Sequence, residues 1–171
     1  MPAARDFRTY AGFNSGYINS SGKYVGRHIF WKLYIIENLY RIIIHSVLSV
    51  QINPTWWPIA ADPTIRGKAH TFLQNYLIRP WHTTPGQHEI YYIDLKDLNE
   101  IVRSNANLFA PIIPDIHDWI AKIESIRLPR NITAHMNFPN RTDKARIDVI
   151  FQDFERLIPP LQQKINLVVP N

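Results

Sequence analysis

The sequence predicts an all-α protein, a bundle of about five helices with a long first helix. From Ile29 to Val50, apolar residues recur in alternating steps of four and three, which is the spacing of one face of an amphipathic helix. Later segments repeat this period and are separated by prolines, which end helices. Residues 89–93 (EIYYI) are the one short strand candidate. Helical periodicity therefore dominates the chain.

The domain organisation follows from length and from the distribution of small residues. Residues 1–22 are rich in Gly, Ser, Asn and Tyr without periodicity, and they predict an irregular N-terminal arm. A chain of 171 residues is long enough for one substantial core and too short to require two. The sequence therefore predicts a single helical domain over residues 23–171.

The first two helices are predicted from apolar spacing and from proline. The first begins near Lys23 and ends before Pro54, and its apolar face is wide enough to pack on several sides or across a dimer. The second covers residues 65–77, with four residues predicted to point inward: Ala69, Phe72, Leu73 and Tyr76. A long loop with two prolines and a glycine follows, and such loops are typically functional or contact a partner.

The next two helices have recognisable starts. Asp94 is a predicted N-cap for a third helix that runs to about Ser104 and carries Leu95, Leu98, Ile101 and Val102. A fourth helix begins near Asp115, with five residues predicted to point inward: Ile116, Trp119, Ile120, Ile123 and Ile126.

Prolines shape the predicted end of the bundle. Pro129 is expected to interrupt the fourth helix, because its ring clashes with the carbonyl one turn back, and to start a short helical turn that stops by Pro139. The last helix is predicted over residues 143–156, with an irregular continuation past Pro159 and Pro160.

Charge and composition narrow the classes of function. The 19 Lys and Arg against 14 Asp and Glu give a formal charge of +5, which favours an anionic partner such as nucleic acid. The absence of cysteine excludes disulfides, thiolate zinc sites and a cysteine nucleophile, and it fits a reducing cytoplasm. His82 and His88 lack the spacing of a metal site, so neither a metal nor another cofactor is predicted.

Two observations bear on localisation. The N-terminus has no apolar stretch of the kind that a secretory signal requires. The most apolar run is broken by Lys32, Glu37, Arg41 and His45, which is too polar for a typical membrane span. The sequence therefore predicts a cytoplasmic protein without membrane contact.

One short motif carries candidate chemistry: Arg130, Asn131 and, four residues further, His135. A helix advances about 100° per residue, so Asn131 and His135 share one face, one turn apart. The motif combines a permanent cation, an amide and a group that titrates near neutral pH. Cleavage of an RNA phosphodiester needs proton transfer at the 2′-hydroxyl and the leaving 5′-oxygen, and a cation for the charge that develops on the phosphate.

The motif and its surroundings resemble the HEPN superfamily (higher eukaryotes and prokaryotes nucleotide-binding domains). That family's signature is an Arg followed, after four to six residues, by a His, often with a polar residue directly after the Arg. The long first helix, the pair Trp56 and Trp57, the segment 91–109 and the motif within 126–135 carry the resemblance, which covers roughly residues 25–160.

The resemblance implies a fold and an activity. It implies an HEPN-like bundle that dimerises so that two Arg/His sets face one cleft. It also implies a metal-independent endoribonuclease, in which the 2′-hydroxyl attacks the phosphate and leaves a 2′,3′-cyclic phosphate. Similar domains occur in RNA-surveillance and bacterial abortive-infection proteins, so the expected partners are RNA, a second copy, and an antitoxin or a larger effector protein.

The resemblance also assigns roles to residues. His135 is the expected general acid or base, Arg130 stabilises the phosphate and Asn131 orients the pair. Glu37 and Arg41, one turn apart on the first helix, either continue with His45 as a solvated salt-bridge ridge or support the cleft. Five basic residues flank the motif, either as a rim that contacts the RNA backbone or as ordinary surface charge: Lys122, Arg127, Arg141, Lys144 and Arg146.

Two alternatives remain open at this point. A catalytically inactive HEPN-like module would bind RNA or a protein partner and keep the dimer face. A helical interaction domain would have no role with nucleic acid, and Arg130 and Asn131 would only cap backbone groups. RNA binding that weakens with salt distinguishes the second alternative from the others.

Overall fold

A computed structural model describes residues 6–171 and is all-helical, with 72% of the described residues in helices and none of them in a strand. The all-α prediction is therefore confirmed. The elements in chain order are α1 (Ser15–Val25), a π-helical segment (Gly26–Phe30), α2 (Trp31–Gln51), α3 (Trp57–Ala60), α4 (Pro63–Leu77), α5 (Leu95–Ser104), α6 (Ala106–Phe109), α7 (Ile116–Ala134) and α8 (Arg141–Lys164). The strand candidate forms a 3-10 helix at Glu89–Tyr92 instead.

The first helix is longer than predicted, since α1, the π-helical segment and α2 form one helix from Ser15 to Gln51. The predicted irregular arm is therefore wrong for residues 15–22, while residues 1–5 lie outside the described range. Asn14 caps the new start by accepting a hydrogen bond from the Gly16 N–H at 2.8 Å. Only Ser21 is buried on α1, which explains why this helix lacks an apolar period.

Helix α2 is the central element, with contacts to α5, α6 and α8. Its predicted apolar stripe is buried except for Val50, which is 60% exposed. The Ser15–Gln51 helix is long and apolar enough to cross a membrane by composition, but 56% of its most apolar window is buried, and a core helix of a soluble protein passes the same test. It is therefore weak evidence for a membrane span.

Predictions for the second and third helices hold with one exception. Helix α4 matches the predicted second helix, although Phe72 is 55% exposed rather than inward. Asp94 caps α5 by accepting a hydrogen bond from the Asp97 N–H at 3.0 Å, and the four apolar residues predicted for α5 are all buried. The 3-10 helix at Glu89–Tyr92 packs against α4 and leads directly into α5.

Two predicted proline breaks are wrong. Helix α7 continues through Pro129 to Ala134, and α8 continues through Pro159 and Pro160 to Lys164. A proline inside a helix costs about 3 kcal/mol relative to alanine. Packing on both sides offsets this cost in α7, where Ile126 and Thr133 are both buried. The unbroken α7 carries the candidate motif at its C-terminal end, between α5 and α8.

Candidate functional site

An open cavity of about 1000 Å³ lies beside the C-terminal end of α7. Its walls come from α2, the loop at residues 85–87, Tyr91, the last turns of α7 and the chain segment at residues 169–171. Arg130 of the motif lines this cavity together with Glu37 and Arg41 of α2. The structure therefore brings the predicted supporting residues to the motif's arginine.

Arg130 and Glu37 form a two-point ion pair. The Arg130 guanidinium donates to the Glu37 carboxylate through Nε at 2.9 Å and through Nη2 at 3.2 Å. Side-chain exposure is 23% for Arg130 and 13% for Glu37, so the pair is largely shielded from water. Arg130 Nη1 contacts Asn131 Oδ1 at 3.4 Å, which is long for a hydrogen bond and leaves this nitrogen open to a ligand.

Arg41 joins the same carboxylate from within α2. Its Nη2 donates to Glu37 Oε1 at 2.6 Å and to the Ile93 carbonyl at 3.1 Å, and its Nε donates to the Ile90 carbonyl at 3.3 Å. Arg41 is 8% exposed, and its Nη1 makes no hydrogen bond within the part of the chain that the structure describes. Two guanidiniums thus share one carboxylate at the cavity wall.

His45 does not extend this ion pair into a ridge. Its Nδ1 accepts a hydrogen bond from Trp56 Nε1 at 3.1 Å, and its ring lies 4.9 Å from the His88 ring. His88 Nδ1 in turn accepts from the Ile90 N–H at 3.1 Å. Burial lowers the pKa of both imidazoles, and the nearby His45 lowers the pKa of His88 further. The contact between these two histidines connects the long loop to α2. Nothing in the composition of the sequence predicted this role.

His135 does not line the cavity, although its neighbour Ala134 does. It follows the last residue of α7, and its backbone N–H donates to the Asn131 carbonyl at 3.0 Å, so the two residues are one turn apart as predicted. The side chain is exposed, and among residues 6–171 its imidazole has neither a hydrogen bond nor an ion pair. One copy of the chain therefore assembles Arg130, Asn131, Glu37 and Arg41, but not His135.

The predicted basic rim is mostly paired with carboxylates. Lys122 bonds to Asp118 at 3.0 Å and to Asp153 at 3.1 Å, and the hydrogen bond to Asp118 raises the pKa of Lys122. Arg127, Lys144 and Arg146 pair with Glu124, Asp148 and Asp143, respectively. Arg141 is exposed and has no ion pair in the described range. The five residues therefore do not form one uncompensated positive surface.

Sequence reasoning missed the neutral residues of the cavity. Tyr34 and Asn38 share the wall of α2 with Glu37, and Gln87 and Tyr91 face them from the long loop and the 3-10 helix. The spacing of Tyr34, Asn38 and Arg41 could have predicted that they lie together, because residues three and four apart share one face of a helix. No such signal connects them to Gln87, which is distant in sequence. The described residues contain no group of three or more His, Asp or Glu that could hold a metal ion.

Comparison with protein-family models, curated proteins and solved structures finds no match to this chain.

Proposed function

We propose that this chain is an HEPN-like, metal-independent endoribonuclease that acts in the cytoplasm as a homodimer. The observation that carries the proposal is the Arg130 guanidinium, which Glu37 holds at the wall of an open cavity. The same helix end carries Asn131 and, one turn further, an exposed imidazole. A fixed cation and a side chain that can accept or donate a proton are the parts that RNA cleavage requires.

The proposed reaction needs no cofactor. The 2′-oxygen attacks the adjacent phosphorus, the bond from phosphorus to the 5′-oxygen breaks, and a 2′,3′-cyclic phosphate remains. His135 accepts the proton of the 2′-hydroxyl or donates a proton to the leaving 5′-oxygen. Arg130 stabilises the charge on the phosphate oxygens, with Nη1 as its available donor. Glu37 and Arg41 position that guanidinium.

A second copy of the chain would complete the site. Within one copy His135 does not line the cavity, so the proposal places the imidazole of one copy against the cleft of the other. Exposed apolar residues near the motif suit such a contact: Leu128 is 60% and Met136 is 83% exposed. Phe30, which is 49% exposed, lines an apolar groove together with Met136. Two histidines in one cleft would supply both a base and an acid.

A second candidate is a catalytically inactive HEPN-like module that binds RNA or a protein such as an antitoxin or a larger effector. One observation favours it: the His135 imidazole is exposed and has no orienting partner among the described residues. A catalytic histidine usually has a hydrogen bond that fixes its ring and tautomer. An inactive module would not need that bond.

Cleavage without metal tests the proposal. The purified protein would be incubated in EDTA with total RNA and with a short labelled single strand, as wild type, His135→Ala and Arg130→Ala. The matched control is His117→Ala, since His117 is exposed at the opposite end of α7, about 27 Å away along the helix. We expect cyclic phosphate ends from the wild type and the control, and none from the other two variants.

Two results would contradict this proposal. Wild-type protein that leaves every RNA intact, while RNA binding still weakens steeply with salt, would favour the inactive module. Cleavage that persists in His135→Ala would exclude the proposed acid or base. Light scattering tests the dimer independently, and a monomeric mass at micromolar concentration would count against it.

A further inference from the structure

The cavity beside Arg130 contains more than a cation. Its lining also includes aromatic and amide residues: Phe30, Tyr34 and Tyr91, and Asn38, Gln87 and Asn171. Its volume of about 1000 Å³ is at the upper end of the range that small ligands occupy, roughly 300 to 1,000 Å³. Aromatic faces, amides and guanidiniums are the groups that recognise a base and a phosphate.

We infer that this cavity binds one unpaired nucleotide of the RNA, with its phosphate on Arg41 and Arg130 and its base against Tyr34 and Tyr91. The inference deepens the proposed function and rests on it, because the nucleotide belongs to the strand that is cleaved. It adds a substrate-recognition role for Arg41, Tyr34 and Tyr91, none of which takes part in proton transfer.

The environment of Arg41 favours an anion as the ligand of this cavity. Its side chain is only 10% exposed, and Glu37, the carboxylate with which it pairs, is shared with Arg130. The Arg41 Nη1 makes no hydrogen bond within residues 6–171 and belongs to a side chain that lines the open cavity, so this charged donor is available to a negative group. Because Arg130 also keeps an available Nη1, a phosphate on the cavity wall would satisfy both donors.

The Tyr91 ring is held in a fixed orientation at the cavity wall, which suits stacking with a flat ligand. A Cβ atom added to Gly86 would lie 2.8 Å from Cε2 of the Tyr91 ring, so the backbone of Gly86 packs directly on that ring. The neighbouring Tyr92 hydroxyl donates to the Gly86 carbonyl at 2.7 Å and fixes this contact. The long loop therefore holds one face of Tyr91 and keeps its orientation.

Tyr34 faces the same space. Burial raises the pKa of Tyr91, the Arg41 charge lowers it and Tyr34 raises it, so the Tyr91 hydroxyl is within electrostatic reach of both groups. The Tyr34 side chain is 64% exposed although it lines the cavity. An uncovered aromatic face next to a cation is the arrangement on which single-stranded bases stack.

The side-chain amides of Asn38 and Gln87 favour a nucleic-acid base over a flat ligand without polar edges. Asn38 Nδ2 donates to the Tyr34 carbonyl at 2.8 Å, which leaves Asn38 Oδ1 as an acceptor. The Gln87 amide is exposed and makes no hydrogen bond within residues 6–171, so it offers a donor and an acceptor. Such amides read the edge of an unpaired base, and in a duplex those edges are already paired.

Calorimetric titration tests the inference separately from cleavage. The probes are adenosine 5′-monophosphate, adenosine, inorganic phosphate, and a six-nucleotide RNA offered single-stranded or as a duplex. Titrations with RNA use His135→Ala, which preserves the cavity because His135 does not line it. We expect the monophosphate to bind more tightly than adenosine or phosphate, and the single strand about tenfold more tightly than the duplex.

Three variants assign the binding to the cavity. Tyr34→Ala, at an exposed position, should weaken binding of the monophosphate by about tenfold. Trp81→Ala is the matched control, since Trp81 is 75% exposed, lies outside the cavity and should not change the affinity. Arg41→Lys should reduce the preference for the monophosphate over adenosine, because lysine keeps the charge but cannot offer the same fork of donors, while Arg130 remains. Thermal unfolding of each variant verifies that it is folded.

The outcomes separate the inference from the proposed function. If the wild type cleaves RNA but Tyr34→Ala leaves the affinity for the monophosphate unchanged, the inference is overturned and the proposed ribonuclease function stands. Monophosphate binding that Tyr34→Ala weakens, without any cleavage, would support the cavity as a nucleotide site and contradict the ribonuclease. If the monophosphate binds but the single strand does not compete with it, the occupant is a free nucleotide and the assignment to RNA is wrong.

Discussion

Arg130 on α7 donates two hydrogen bonds to Glu37 on α2, at 2.9 Å and 3.2 Å, across 93 positions of sequence. The same carboxylate accepts a hydrogen bond from Arg41 at 2.6 Å. Glu37 is therefore the counterion of two guanidiniums, that of the buried Arg41 and that of the partly buried Arg130. Its two hydrogen bonds also fix the orientation of the Arg130 guanidinium at the cavity wall. Both the compensation of these two charges and the proposed phosphate contact depend on this one side chain.

Replacing Glu37 with glutamine should destabilise the protein. Two guanidiniums would then lie close together without a counterion, and we expect a loss of about 2 kcal/mol, between the values for exposed and fully buried pairs. Urea unfolding measures the change. Glu100→Gln is the matched control, because its ion pair with Arg103 is exposed and should contribute about 0.5 kcal/mol or less. Equal effects of the two substitutions would contradict this role of Glu37.

His135→Ala should separate stability from activity. The imidazole is exposed and without a hydrogen bond in the described chain, so its removal should change the free energy of unfolding by about 0.5 kcal/mol or less. Cleavage should nevertheless fall by about a hundredfold or more, as expected for a general acid or base. His117→Ala should change neither quantity. A large loss of stability in His135→Ala would mean that the residue is structural.

The helices that sequence predicted best are those with a buried stripe or a recognisable cap. The apolar period identified the core face of α2, and Asp94 marked the start of α5. Helix α1 escaped prediction because it buries only Ser21 and so has no apolar period. The break predicted at Pro129 was wrong because helix propensity is a local cost, whereas the burial of Ile126 and Thr133 that offsets it is set by the tertiary fold.

The candidate site shows the same limit. Residue types identified Arg130, Asn131 and His135 as a group, but their common helix did not place His135 in the cavity. The spacing of Glu37 and Arg41 fitted a surface ridge as well as a buried cluster, because an i, i+4 pair has the same local geometry in both. What decides between them is the approach of α7 and of the carbonyls of Ile90 and Ile93, which no local pattern encodes.

Acidification should destabilise the protein through His45 and His88. Burial lowers the pKa of each below its ordinary value of 6.5, so the unfolded chain binds protons at a pH where the folded chain does not. The stability is fully present above about pH 6.5 and is lost as the pH falls towards the lowered values. Protonation also conflicts with the hydrogen bonds that both Nδ1 atoms accept.

Unfolding measured between pH 7.5 and 5 tests this dependence. His88→Asn should flatten the decline, because asparagine can still accept the Ile90 N–H as a cap but does not titrate. His70→Asn is the control, since His70 is exposed on α4. A decline of equal steepness in wild type and His88→Asn would show that other groups cause it.

Gly86→Ala should disturb the cavity without touching a charged residue. The added Cβ would overlap the Tyr91 ring, with Cε2 at 2.8 Å, so the ring must move away from the loop. We expect a loss of stability of about 1 to 2 kcal/mol and a nucleotide affinity that falls by about tenfold.

Gly67→Ala is the opposite case, because nothing lies within 4 Å of the new atom in α4 and alanine should stabilise the helix by about 1 kcal/mol. Urea unfolding and calorimetric titration of both variants distinguish the effects, and an unchanged affinity in Gly86→Ala would show that Tyr91 does not contact the ligand.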